Sequence, residues 1–184
     1  AHCRQAGMVG GDAYDFLDLD AGRAGLVLSD ISGKGVAAAL LMAHLQAALR
    51  SLAWQAPRNL PMLLRTLNLQ FLDASPPECY TTLFFGDYND STRTLRYANC
   101  GHPAPLLVRA NGDVERLHST APVIGLLDRF QPEVAETTLA SGDTLLIYSD
   151  GATEPWEDGE EMLLRLLRES ANAGASELTA RLSA

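Results

Sequence analysis

Cysteine is scarce. Cys3, Cys79 and Cys100 are the only three, far apart, odd in number and without a second Cys or His at metal-ligand spacing. That excludes a disulfide scaffold and a zinc knuckle, and fits buried thiols in a reducing compartment, so the cytoplasm is the expected location. Basic residues are also few: 14 Lys and Arg stand against 23 Asp and Glu, a net charge of −9, and no Lys/Arg run occurs. A nucleic-acid backbone is repelled by such a chain. No signal peptide opens the sequence, and its longest uninterrupted apolar run, Val36 to Ala43, falls far below the ~20 residues of a bilayer span. A soluble protein is expected. Repeats and low-complexity linkers are absent. What remains is an ordinary globular composition, 47% hydrophobic over 184 residues. Roughly 70% of the unfolded surface can be buried at this length, which excludes disorder and makes one domain, residues 1–184, the simplest count.

Leu26-Val27-Leu28 reads as a buried strand running into Ser29-Asp30 and the glycine turn Ile31 to Gly35. A helix rich in Ala, Leu and Met is expected from Val36 to Ala53, apolar nearly all round, hence buried on several sides or offering part of its face to a partner. A second helix is expected from Asn59 to Leu72, with Asn59 as N-cap and Pro61 in the first turn. The period then changes to two. Strands are expected over Tyr80 to Tyr88, Thr94 to Ala98, Leu106 to Arg109, Glu133 to Leu139 and Thr144 to Tyr148, with turns at Asn89-Asp90 and Asn111-Gly112. Helices follow from about Glu160 to Glu169 and from Ser176. Strands grouped in hairpins, with helices grouped apart, point to an α+β sandwich.

Three acids stand at or beside strand ends among small residues: Asp12 after Gly10-Gly11, Asp30 in Ser29-Asp30-Ile31-Ser32-Gly33, and Asp150 in Tyr148-Ser149-Asp150-Gly151. A carboxylate at the end of a buried strand must be paired, protonated or metal-bound. Two of them ~4 Å apart repel by about 4 kcal/mol at an effective dielectric of 20, so their convergence requires a cation. All-oxygen ligation selects Mg²⁺ or Mn²⁺ over zinc. Each Asp taken alone reads more readily as a turn or helix cap, and it is three in matching contexts that favour a shared site. Asp18 and Asp20 read as a solvated face, and Asp15 as a neighbour supporting the site.

The segments GGDAYDF (Gly10 to Phe16), SDISGKGVAAALLMA (Ser29 to Ala43), ANCGHPAPLL (Ala98 to Leu107) and LLIYSDGATEP (Leu145 to Pro155) resemble, in order and spacing, those of the bacterial SpoIIE/RsbU-type serine/threonine phosphatases. These belong to the metal-dependent PPM class related to protein phosphatase 2C, and the resemblance spans nearly the whole chain. It implies two antiparallel β-sheets packed as a sandwich and flanked by helices, with two Mn²⁺ or Mg²⁺ ions at one end. Asp30 matches the bridging ligand, the Ile31 backbone carbonyl and Asp12 match ligands of one ion, and Asp150 matches a ligand of the other. The implied activity is hydrolysis of phosphoserine or phosphothreonine by a water that the two metals activate, with no covalent phosphoenzyme. The implied substrate is a phosphorylated regulatory protein of the STAS-type anti-anti-sigma class. An upstream sensor domain and a homodimer are the other partners it suggests.

The chain departs from that pattern in three places. The opening strand and an acidic C-terminal strand are missing, so a domain truncated at both ends and a weakly held Asp150-side ion are expected. Ser32 stands where eukaryotic relatives carry a His, which removes an imidazole as leaving-group acid. Lys34 and Arg4 are the cations placed to touch a phosphate. His102 is expected in a turn at the rim of the site, and His44 on the core or partner face of its helix. Two other readings compete: a regulatory binding module of the same fold with a decayed metal site, acting through the Val36 to Ala53 helix, and a nucleotide cyclase suggested by GGDAY. The second lacks the Glu-Phe that should follow Asp12 and gives the Asp150 loop no role. Because the Val36 helix follows the Asp30 loop directly, pressure on it from a sensor is expected to gate metal occupancy.

Overall fold

The computed structural model describes residues 1–3, 10–20, 22–55, 59–154, 156–169 and 174–182; Arg4 and Ala184 lie outside the described residues. Strands β1 (Asp12–Asp20) and β2 (Arg23–Ile31) form an antiparallel hairpin, followed by helices α1 (Val36–Gln55) and α2 (Leu60–Ala74). Then come β3 (Thr81–Asn89), β4 (Thr94–Cys100), β5 (Leu106–Val108), β6 (Val114–Arg116), β7 (Ala135–Thr138) and β8 (Thr144–Leu146). Helices α3 (Gly159–Glu169) and α4 (Ala175–Leu182) close the order. One sheet runs β1-β2-β3-β4-β7 and the other β6-β5-β8, every pairing antiparallel.

The layers follow from period-two alternation. Leu17, Val27, Ile31, Leu83, Phe85 and Ala98 turn to one side of the large sheet and pack under α1 and α2. Phe84, Leu95 and Tyr97 turn to the other side, where Leu117, Leu145 and Ile147 meet them between the sheets. Leu106, Val108 and Tyr148 face away from that interface onto Leu163, Leu164, Leu167 and Leu178 of α3 and α4. The result is a helix–sheet–sheet–helix stack, as the hairpin grouping required.

Asn59 caps α2 as expected, its Oδ1 accepting from the Met62 N–H at 3.1 Å, with Pro61 in the first turn. Helix α1 is apolar all round but buried along one stripe, Ala38, Met42, Leu45, Leu49 and Ala53, while Val36 and Leu40 are 68% and 67% exposed. By length and composition its Val36–Ala53 stretch, mean hydropathy 1.4, could cross a bilayer; in this fold the buried stripe lies on β1, β2 and α2. Of the thiols, Cys100 is buried, Cys79 half-buried and Cys3 exposed, and none forms a disulfide. Burial of all three, as expected from the sequence, therefore holds fully only for Cys100.

Candidate functional site

Register brings the first two acids together. Asp12 opens β1 and Asp30 lies one residue from the end of β2, and in the hairpin they are direct Cα partners. Directly opposed side chains in an antiparallel pair have Cβ atoms about 4.5–5.5 Å apart, where like charges are destabilising. Asp150 arrives from the other sheet, opening a one-turn 3₁₀ helix, Asp150–Ala152, after β8. The Ser149 hydroxyl next to it donates to Asp12 Oδ2 at 3.4 Å, so this segment touches the hairpin.

The electrostatics register the crowding. Burial pushes the Asp30 carboxyl up to about 7, reinforced by a hydrogen bond shared with the Asp12 carboxyl and by the charges of Asp12, Asp150 and Glu154. Four acids thus act on one another at one end of the two sheets. Among the described residues, no three His, Cys, Asp or Glu side chains are gathered closely enough to enclose an ion as they stand. The Asp12–Asp30 pair is formed, while Asp150 and Glu154 stand within electrostatic range of it.

The backbone at the pair is built for close approach. A Cβ added to Gly11 would meet the Ile31 carbonyl oxygen at 2.9 Å and Asp30 Oδ1 at 3.5 Å, and the Ile31 N–H donates to the Gly11 carbonyl at 3.3 Å. Glycine at position 11 therefore leaves both the Ile31 oxygen and Asp30 Oδ1 uncovered on that side. Asp30 is braced behind: its carbonyl accepts from Thr81 Oγ1 at 2.8 Å. Ser32 is anchored to Tyr80 by two bonds, its N–H to the Tyr80 carbonyl and its Oγ from the Tyr80 N–H, each 2.9 Å.

Lys34 is exposed in the loop between β2 and α1. His102, expected at a rim, is 5% exposed. Its Nδ1 lies 2.8 Å from Thr82 Oγ1, and its N–H donates to Asn99 Oδ1 at 2.8 Å. Burial lowers its pKa to about 4, against the opposing pull of the Tyr148 carbonyl, Asp12 and Asp150, so the ring is neutral near pH 7. Asp15 does not support the site. Three residues from Asp12 it points to the opposite face of the hairpin, where it pairs with Arg50 of α1 at 2.6 Å. Exposed Asp18 is solvated as expected. The sequence reading missed Glu154, one helical turn after Asp150, whose N–H donates to the Asp150 carbonyl at 2.9 Å.

A cavity of about 360 Å³ lined by Arg23, Asp87, Asn89, Thr94, Arg96 and Glu136, among others, opens at the other end of β2 to β4. Arg23 and Asp30 are the first and eighth residues of one strand, a span of about 23 Å at 3.3 Å per residue, so this cavity is separate from the acids.

The family model for stage II sporulation protein E (SpoIIE) matches residues 20–184. The chain belongs to the SpoIIE family. Phosphoserine phosphatase RsbU of Bacillus subtilis is 29% identical over 153 residues, covering 81% of this chain and 44% of that protein. The crystal structure of the RsbU and RsbW domains of Rv1364c from Mycobacterium tuberculosis superposes with a TM-score of 0.79 at 29% identity, over 97% of this chain and 50% of that one. The SiaA PP2C domain of Pseudomonas aeruginosa gives a TM-score of 0.80 at 20% identity, over 95% of this chain and 72% of that one, a likeness that shows the fold alone. This SpoIIE-family chain spans less than half the length of the curated relatives it matches. The two-sheet, four-helix architecture is thus that of a PP2C-type phosphatase domain.

Proposed function

We propose that the chain is the catalytic domain of a metal-dependent serine/threonine phosphatase, and that Asp12, Asp30, the Ile31 carbonyl and Asp150 hold two Mn²⁺ or Mg²⁺ ions. The observation that carries this reading is the Asp12–Asp30 pairing with Asp150 and Glu154 in electrostatic range. A divalent cation offsets that repulsion, and an all-oxygen donor set suits a hard ion. The kept-open Ile31 oxygen fits the same purpose. When bound, such ions supply acidification of water and neutralisation of phosphoryl charge. The protein's own contribution is placement. Two carboxylates come from the β1–β2 hairpin and a third from the turn after β8, which touches the hairpin through Ser149. Lys34, exposed beside Asp30, is the cation proposed to meet a substrate phosphate. Neutral His102 donates or accepts without adding charge, and Ser32 is committed to Tyr80, leaving solvent as the leaving-group acid.

The proposed substrate is phosphoserine or phosphothreonine on a regulatory partner protein; the phosphoserine phosphatase RsbU is a relative. An anti-anti-sigma-like protein of the STAS type is the partner the motifs imply, with an upstream sensor and a second copy of the chain as regulators acting in the cytoplasm. The test is release of phosphate from p-nitrophenyl phosphate and from a phosphoserine protein. Activity is expected with Mn²⁺, is lost on chelation with EDTA and returns with added Mn²⁺. Metal-independent activity contradicts the reading. Because the acids do not enclose an ion as they stand, the competing reading is a binding module of the same fold; it is selected if calorimetry detects no Mn²⁺ binding.

Gly11→Ala tests the Ile31 oxygen separately. The added Cβ, 2.9 Å from that atom, must push it aside. The expected result is about a 10-fold or greater loss of Mn²⁺ affinity, roughly the 1.4 kcal/mol of one lost ligand contact, measured by calorimetry with unchanged circular dichroism.

A further inference from the structure

We propose that His102 is a positioning residue that latches the Asp150 segment to β3 directly behind Asp30, with Thr82 holding one ring nitrogen and the Tyr148 backbone carbonyl receiving the other. This deepens, and rests on, the phosphatase reading above.

Thr82 is the direct Cα partner of Asp30 across β2 and β3, and its hydroxyl lies 2.8 Å from His102 Nδ1. The ring is therefore attached to the strand that carries the central acid. Its backbone is equally fixed. The His102 N–H donates to Asn99 Oδ1 at 2.8 Å, and fully buried Asn99 donates in turn to the Leu117 carbonyl at 3.1 Å. Gly101 before it has φ +69°, and a Cβ there would meet Val123 Cγ1 at 2.6 Å, so the turn that aims the ring is tightly specified. On the far side of the ring, Nε2 is buried without a hydrogen-bond partner, and the Tyr148 carbonyl is the backbone group that acts on the imidazole.

When the Thr82 hydroxyl donates to Nδ1, the proton sits on Nε2, where a buried donor without an acceptor is costly. A small approach of the segment 148–154 towards β3 satisfies that donor through the Tyr148 carbonyl. The same movement brings Asp150, two residues on, towards the Asp12–Asp30 pair. The unclosed acid group and the unsatisfied imidazole thus share one remedy, which couples gathering of the acids to a neutral hydrogen bond.

The experiment compares wild type, Thr82→Val, Thr82→Ser, His102→Ala and the Thr82→Val/His102→Ala double variant. Hydrogen–deuterium exchange is read on peptides covering 148–154 without metal, Mn²⁺ affinity by calorimetry, and kinetics with p-nitrophenyl phosphate. Expected are exchange at least about threefold faster in Thr82→Val and His102→Ala, and Mn²⁺ affinity about 5- to 100-fold weaker, the range of one buried hydrogen bond. The Mn²⁺ concentration for half-maximal activity rises accordingly, while KM for the substrate changes less than about twofold. Thr82→Ser, which keeps the hydroxyl, behaves as wild type, and the double variant is no worse than His102→Ala because both act in series. Unchanged exchange in both single variants overturns the latch, whatever the metal does. Altered exchange with unaltered Mn²⁺ affinity overturns its coupling to the site. Wild type failing to bind Mn²⁺ removes the phosphatase reading, and the metal-free exchange comparison then decides the latch alone.

Discussion

Asp30→Asn is expected to abolish Mn²⁺-dependent phosphate release, lowering kcat/KM by about 10³-fold or more, the ~4 kcal/mol or greater that a displaced metal centre represents. The same substitution is expected to stabilise the metal-free protein. Asp30 faces Asp12 across the hairpin, and burial together with Asp12, Asp150 and Glu154 raises its carboxyl to about 7 from an ordinary 3.8. A carboxyl whose pKa is raised in the folded state binds its proton more tightly there than in the unfolded chain. Its ionised form therefore weighs against folding above pH 7, and stability contributed by the protonated form grows as pH falls from about 7 towards 4. The group is partly solvated, so the full Coulomb cost is screened to about 1–2 kcal/mol. Thermal melts at pH 8 with EDTA should show Asp30→Asn melting about 2–8 °C above wild type. Near pH 4 the difference should shrink. An asparagine variant that is inactive and also less stable at pH 8 would mean that the acid serves as a structural cap.

The second large effect lies at the far end of the same strands. Asp87 is 3% exposed and accepts from Arg23 Nε at 3.0 Å, with a further Arg23 contact through Nη2, and Arg96 Nη1 stands 3.9 Å away. Asp87→Ala removes a buried carboxylate that Arg23 and Arg96 both approach and is expected to cost about 3–5 kcal/mol. Chemical denaturation measures this directly, as a lowered midpoint with an unchanged slope. The residual folded protein should keep its Mn²⁺ affinity, because the pair is about 23 Å from Asp30 along the strand. Loss of metal binding in step with stability loss would show that the two ends are not independent. The two aspartates contrast: one is paired with arginines, the other is crowded by acids at the fold's expense, as sites that bind cations require.

How much of this was legible in the chain depends on how local each signal is. The cap at Asn59, the period-two run from Tyr80 to Tyr88 and the Glu-rich helix from about Glu160 to Glu169 are written in neighbouring residues, and the structure places these elements within two residues of expectation. Asp12 could be singled out because it follows Gly10-Gly11 and Asp30 because it ends an apolar strand before a glycine turn, yet their direct opposition comes from hairpin register. Asp15 misled for the same reason: a one-residue change of parity moves a side chain to the other face, and only the register shows that its partner is Arg50. Burial of His102 and its bond to Thr82 depend on β3 meeting the turn after β4, a contact no local pattern encodes. Glu154 had a signal that could have been used, its spacing of one helical turn from Asp150, but nothing in the sequence sets that turn against the other sheet. The three-residue β6 is too short to carry a period, and α1 reads alike on its covered and uncovered faces because nearly all its residues are apolar.

Carboxylates of the β1–β2 hairpin and of the Asp150 turn are proposed to share divalent cations, and anomalous scattering from Mn²⁺-soaked crystals locates such ions. A peak is expected within about 2.0–2.3 Å of the Asp12 and Asp30 carboxylates and the Ile31 carbonyl, with a second peak against Asp150 and Asp30. Manganese that binds elsewhere on the surface, with Asp12 and Asp30 left hydrogen-bonded to each other, would contradict it.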